Sequence, residues 1–397
     1  MDYQFADRVM GLKPSAIREI LKYASDPNVI SLSAGNPAPE AFPVVPLREC
    51  STAIMKDHPI DALQYSVTEG LPALREDLRE ILKKGNIYHE NDELIITSGA
   101  QQIMDLVSKS LLNEGDVVLC EEPSFLGALN TFRSYNARLR GIPLQDDGLD
   151  LIELEKALRE ESRAKFLYII PNFQNPTGIT TSWEKRKEIY RLAQKYDILI
   201  IEDNPYGELR FAGEPISAMK TLDTDNRVLY CGTFSKIVSP GMRVGYAVCG
   251  NELIQKMVVC KQGQDVHTNI WSQMVIHRFL THYDLSEHLT ALRTIYRNKY
   301  TIAEEALAPY QELMPYRAIE GGLFIWCTLP NSIPMLDFCA AAVKECKVCA
   351  VPGNAFYTDD TMPCQSFRIN YSSPTDEELA EGIHRLGELA KGWKDRG

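Results

Sequence analysis

Six short apolar runs punctuate the middle of the chain: DELIITSG (92–99), DVVLCEEPS (116–124), KFLYIIPN (165–172), DILIIEDN (197–204), RVLYCG (227–232) and VGYAVCG (244–250). Their near-continuous apolar character is that of strands covered on both faces, not of strands with one wet side. Amphipathic stretches such as SWEKRKEIYRLAQKY (182–196) lie between several of them. Strand–helix–strand alternation predicts an α/β domain built on a mainly parallel sheet between helices. After about residue 280 the pattern changes. A charged helical stretch (283–308) leads to GGLFIWCTLP (321–330), a helical DFCAAAVKE and a strand-like SFRINYS (366–372). The closing TDEELAEGIHRLGELAKGWK is an amphipathic helix with Thr375 or Asp376 as N-cap. We expect a large α/β domain over 46–285, and a smaller α+β domain from 286–397 joined by the N-terminal segment 1–45, whose SAIREILKYA packs with it.

In open α/β sheets ligands collect at the carboxyl ends of the strands. Asp203 closes one run, Asn172 and Asn175 follow another, and Thr233, Ser235 and Lys236 follow a third. Gly99 and Ala100 open the helix AQQIMDLVSKSLL, whose Ile103, Leu106, Val107 and Leu111 place one face on the sheet. The free amides at its N-terminus then face the strand ends, where they bind phosphate with dipole assistance of roughly 0.3–1 kcal/mol. In GTFSKIVSPGMRVG, Lys236 stands between Ser235 and Ile237, and Arg243 returns after a Pro-Gly break. Two readings are open for this stretch: a solvated loop, or a nucleophilic lysine whose neighbours hold an anionic cofactor.

Several function classes lose ground. The net charge of −12 argues against nucleic-acid partners, since phosphate contact needs a basic surface, though a local basic pocket for a small anion is compatible with it. The opening MDYQFADRVM lacks a basic region followed by an apolar run, and no stretch approaches the ~20 apolar residues of a membrane span. Ten cysteines scattered without scaffold spacing suggest a reducing cytoplasm. The one CxxC, Cys346 to Cys349, reads as packing residues, and no metal site is expected. Neither a Gly-rich dinucleotide fingerprint, nor a Walker-type lysine loop, nor HExxH occurs. What remains is a lysine, an acid, a phosphate-like pocket, an asparagine and tyrosines, a set suited to a Schiff base with pyridoxal phosphate.

The motifs YSVTEGLPALRE, SGAQQ, EEPSF, NPTG, EDNPY, TFSK, PGMRVG, GGLFIW and FRINYS follow one another in an order that resembles the class I/II, fold-type I aminotransferases over roughly residues 10–395. That fold carries a seven-stranded, mainly parallel sheet. SAIREILK, LQYSVTEG, PNFQNPTG and KQGQDVHT carry a closer likeness to the 2-aminoadipate, kynurenine and aromatic aminotransferases. The resemblance implies pyridoxal 5'-phosphate as cofactor and Lys236 as the lysine that bonds to it. It pairs Asp203 with the pyridine nitrogen and sets Tyr206 and Asn175 on the ring's phenolate oxygen. Phosphate contacts fall to Gly99, Ala100, Gln101, Thr233, Ser235 and Arg243. Tyr65 reaches the neighbouring subunit's phosphate, which implies a homodimer with shared active sites. Phe125 occupies the place where relatives put an aromatic over the ring. Arg368 meets the substrate carboxylate, with Gly35 and Asn172 beside it, and Arg18 either meets a distal carboxylate or faces water.

The expected activity is amino transfer from an L-amino acid (aminoadipate-like, aromatic or branched) to a 2-oxo acid such as 2-oxoglutarate, by ping-pong kinetics and in the cytoplasm, with neither nucleic acid nor membrane as partner. Two alternatives stand beside it: a pyridoxal-phosphate lyase on the same fold, and an aminotransferase-like ligand sensor.

Overall fold

A computed structural model describes residues 2–10 and 26–393. SAIREILKYA and Arg18 lie outside the described residues. Among the described residues the first strand is the two-residue β1 (Ile30–Ser31), followed by the strands of the large sheet: β2 (Asp92–Thr97), β3 (Val117–Glu122), β4 (Arg138–Gln145), β5 (Gly148–Leu149), β6 (Ala164–Ile169), β7 (Leu199–Asp203), β8 (Val228–Thr233) and β9 (Gly245–Gly250). Their order across the sheet is β2-β9-β8-β7-β6-β3-β4-β5. The pairs β4/β3, β3/β6, β6/β7 and β7/β8 are parallel, whereas β9 runs antiparallel between β8 and β2. The sheet therefore has eight strands, one more than expected, because β5 adds two residues antiparallel to β4.

Both faces of the sheet are covered, as the apolar runs require. Along β6, Phe166 and Tyr168 enter one core while Leu167 and Ile169 enter another, the period-two alternation of a pleated strand. The first core takes Ile103, Leu106 and Val107 from helix Ala100–Leu111; the second takes Ile189, Leu192 and Ala193 from helix Trp183–Tyr196. A third core seats helices Val44–Asp57, Pro72–Lys84 and Ile270–His282 against Leu94 and Ile96 of β2.

The C-terminal part supplies β10 (Phe324–Thr328), β11 (Val348–Cys349), β12 (Val351–Pro352) and β13 (Ser366–Asn370). Antiparallel β10, β13 and β12 form one small sheet, and β1 pairs with β11 in parallel. Helix Asp376–Lys391 starts at a capping box in which Thr375 and Glu378 satisfy each other's backbone amides. Among the described residues no helix is long and apolar enough to cross a membrane, and no group of three or more His, Cys, Asp or Glu side chains is placed to hold a metal ion.

Candidate active site

Gly245 pairs with Thr97 on one side and Thr233 on the other, at the edge where the parallel strands end. Strand β8 leaves the sheet there and β9 returns, so the intervening loop brings Thr233, Ser235, Lys236 and Arg243 to one edge. A Cβ on Gly245 would lie 2.8 Å from the carbonyl carbon of Gly99 and 2.9 Å from the amide of Ala100. Only glycine lets β9 approach the start of helix Ala100–Leu111 this closely. Gly99, at φ +78°, turns the chain into that helix, and a side chain on it would collide with the Arg243 guanidinium. Arg243 itself holds the left-handed φ of +54°, a conformation uncommon outside glycine and concentrated at functional positions. Its Nη2 donates to the Ser98 carbonyl at 3.0 Å. The Thr233 hydroxyl donates to Ser235 Oγ at 2.9 Å. Helix amides, two hydroxyls and a guanidinium thus converge into a cradle for a tetrahedral anion.

A cavity of about 510 Å³ opens beside this cradle, lined by Gly35, Ala100, Gln101, Phe125, Asn175, Asp203, Tyr206, Thr233, Ser235, Lys236, Arg243 and Arg368, with Ser33 and Phe324 among its other walls. Within it Lys236 Nζ donates to the Gly35 carbonyl at 2.7 Å. Burial, followed by the charges of Arg368 and Arg243, lowers the Lys236 pKa to about 8. Asp203 ends β7 fully enclosed. Its Oδ2 accepts from Tyr168 at 2.8 Å, while Oδ1 has no partner among the described residues. Burial raises the Asp203 pKa to about 6 against the pull of the Tyr168 hydroxyl, so the group stays mostly ionised at neutral pH.

Arg368 projects from β13, where its neighbours across the strands are Trp326 and Val351. Its Nη1 donates to Asn175 Oδ1 and its Nη2 to the Ser33 carbonyl, both at 2.7 Å, and among the described residues Nε has no partner. The guanidinium carbon lies 4.1 Å from the Phe324 ring centre and 4.9 Å from that of Phe356. Burial lowers its pKa to about 10, which leaves it charged at neutral pH. Tyr206 meets Phe324 edge-on, and burial raises its phenol pKa.

Two of the expected residues do not line this cavity, Tyr65 being one expected to serve a neighbouring subunit instead. Asn172 does not line the cavity: its Nδ2 donates to Asn204 Oδ1 at 2.8 Å and its Oδ1 accepts from buried Arg186 at 2.6 Å, so both ends of the amide are engaged. Tyr65 lies outside its own chain's cavity, 80% exposed, against the edge of the His267 ring. Conversely, Tyr168, Ser33 and Phe324 contribute contacts that sequence reasoning missed. Tyr168 lies inside an apolar run and reads as core, Ser33 acts only through its carbonyl, and Phe324 reads as an ordinary strand residue.

The site's donor set fits a phosphorylated pyridine aldehyde. The cradle would take the phosphate, the partnerless Oδ1 of Asp203 a ring N–H, and the lysine amine the aldehyde.

The family model for aminotransferase class I and II matches residues 27–386. The chain is 37% identical to aromatic-amino-acid aminotransferase 1 of Thermococcus litoralis, over 98% of this chain and 95% of that protein. It superposes with a TM-score of 0.94 on the kynurenine aminotransferase of Pyrococcus horikoshii solved in complex with PMP, at 37% identity over 98% of this chain and 97% of the other. It superposes with a TM-score of 0.90 on the alpha-aminoadipate aminotransferase of Thermus thermophilus complexed with N-(5'-phosphopyridoxyl)-L-leucine, at 35% identity over 99% and 98%. With its mainly parallel sheet and its cavity at the strand ends, the chain belongs to the class I and II aminotransferases.

Proposed function

We propose that this aminotransferase, which uses pyridoxal 5'-phosphate, carries an amino group from an L-amino acid to 2-oxoglutarate or a similar 2-oxo acid, with the cavity around Lys236 as its active site. The observation that carries the reading is one pairing: an amine with a loosened proton shares a cavity with a buried carboxylate oxygen that has no partner among the described residues. When bound, the cofactor supplies an aldehyde that condenses with amines and a ring that withdraws electrons.

The chain's own residues do the rest. Asp203 Oδ1 would accept the ring N–H, and its charge would favour the cationic form of the ring. Phe125 covers a ring face, while Tyr206 and Asn175 hold the ring oxygen. The amides of Ala100 and Gln101, with Gly99 shaping their approach, join Thr233, Ser235 and Arg243 on the phosphate. The Arg368 guanidinium, packed against two phenyl rings, offers its planar fork to the substrate carboxylate, and Gly35 lets the backbone come alongside. Lys236 Nζ moves a proton at the substrate α-carbon. With a pKa of about 8, about a tenth of it is neutral and basic at pH 7. Release of the first 2-oxo acid before the second one binds predicts parallel lines in double-reciprocal plots.

Two finer readings belong with this one. The donor lies in the aromatic, kynurenine and aminoadipate range for which the relatives are named, with branched side chains as a further class. The active unit is a homodimer: Ile60, Leu63 and Tyr65 are 71%, 73% and 80% exposed, an apolar surface that a second copy would cover while Tyr65 reaches that copy's phosphate.

The test is a panel of amino donors with 2-oxoglutarate, combined with borohydride reduction of the loaded protein. Glutamate formation, with the cofactor fixed to the peptide containing Lys236, is the expected result. Pyruvate and ammonia released without an acceptor would mark a lyase, and a loaded protein that turns over no donor would mark a sensor; either ends the proposal.

A further inference from the structure

The segment KQGQDVHT takes no part in the site just described, yet it holds a fully buried lysine. Lys261 is 0% exposed. Its Nζ donates to both carboxylate oxygens of Asp265 at 2.7 and 2.8 Å, to Gln102 Oε1 at 2.9 Å and to Thr268 Oγ1 at 3.0 Å. Asp265 is itself 28% exposed, and a half-buried ion pair of this kind contributes little net stability, because desolvation offsets the attraction. Its placement therefore calls for a reason other than stability, and the contacts supply one.

Every polar group of Ser98 is engaged. Its hydroxyl donates to Asp265 Oδ2 at 2.8 Å and lies 3.3 Å from Thr268 Oγ1. Its amide donates to Gln102 Oε1 at 2.8 Å, and Gln102 Nε2 returns to Asp265 Oδ2, also at 2.8 Å. Its carbonyl accepts Arg243 Nη2, the guanidinium that lies against Gly99. The ion pair thus grips the one residue that both precedes the glycine turn into the helix and aims the arginine of the cradle. The hydrogen bonds of Asp265, with Lys261 beside it, hold its carboxyl below the ordinary range against its partial burial, so it is a firm anionic anchor.

We propose that Asp265, held by Lys261, is a positioning residue for the phosphate end of the cofactor site: it fixes Ser98 and, through the Ser98 carbonyl, the direction of Arg243. The inference rests on the reading of Arg243 and the helix start as the phosphate cradle. Asp265 touches no part of the cofactor under this proposal.

The full chain, stripped of cofactor, is titrated with pyridoxal 5'-phosphate and separately with pyridoxal, which has the aldehyde and ring but no phosphate, and binding is followed by absorbance. Wild type binds the phosphorylated form more tightly. Asp265→Asn and Ser98→Ala each weaken pyridoxal 5'-phosphate by about tenfold, the size of a lost hydrogen bond to a charged group, and leave pyridoxal unchanged. Ser98→Ala keeps the Lys261–Asp265 pair intact and serves if Asp265→Asn fails to fold. Unchanged affinity for both ligands in Ser98→Ala overturns the proposal. Equal weakening of both ligands also overturns it, since that is a general structural role. If wild type itself shows no preference for the phosphorylated ligand, the cradle reading fails first, a result distinct from the other two.

Discussion

Lys236 should capture the cofactor far faster at neutral pH than an ordinary lysine, and the charge on Arg368 should be part of the reason. With the pKa lowered from 10.5 to about 8, the neutral fraction at pH 7 is about 9% instead of about 0.03%, a gain of about 300-fold in reactive amine. Only the neutral amine attacks an aldehyde, so the capture rate of the stripped protein should rise about tenfold from pH 7 to 9.5 and level off above pH 9. The phosphate is already ionised above about pH 6 and does not distort that window. Burial is the largest cause of the shift, and the positive charge of Arg368 comes next. Arg368→Met keeps an apolar stem near Phe324 and Phe356 but removes the charge, so the midpoint of the capture profile should move upward. Stopped-flow absorbance across pH 7–10 reads both profiles. A wild-type rate still climbing at pH 10, or a variant midpoint unmoved from about 8, would refute the electrostatic argument.

Asp203→Asn leaves the ring nitrogen without its buried counter-charge, a loss of about 3 kcal/mol or more, and should lower kcat about a hundredfold in single-turnover measurements; a loss under tenfold would count against Asp203 as the ring's partner. Gly245→Ala drives a Cβ into the backbone of Gly99 and Ala100, which cannot yield as a flexible side chain would, so denaturant melts should show a loss of about 1–3 kcal/mol. Mixing inactive Lys236→Ala chains with inactive Tyr65→Ala chains should restore activity, because the hybrid dimer holds one site with both native groups; no recovery after exchange of subunits would mean that Tyr65 does not serve the other copy.

The buried strands were legible because each is apolar nearly end to end. β4 was not, for the physical reason that it is an outer strand whose neighbour β5 is two residues long. Most of its side chains remain at least partly exposed, and Arg138, Arg140, Gly141 and Pro143 break any apolar pattern. The polar lining of the cavity was legible for a complementary reason: residues such as Asp203, Thr233 and Lys236 interrupt apolar runs where strands end. Asn172 shows the limit of that rule. It stands at the same edge as Asn175, three residues away, but Arg186 and Asn204 capture its amide. Position along a strand is a local property, whereas the direction of a side chain is decided by partners distant in sequence. Tyr168 and the Lys261 network escaped notice for that same reason.

The loop between β8 and β9 acts as a calliper. Its two arms are clamped at Thr233 and Gly245 by neighbouring strands, and it carries the amine at one point and the guanidinium at another. Under the proposed reading, both the reactive end of a bound ligand and its anionic end are gripped in part by a single short excursion of chain whose roots are part of the sheet. Lengthening that excursion by even one residue would alter the gauge itself, whereas comparable insertions in surface loops remote from this edge would leave it untouched.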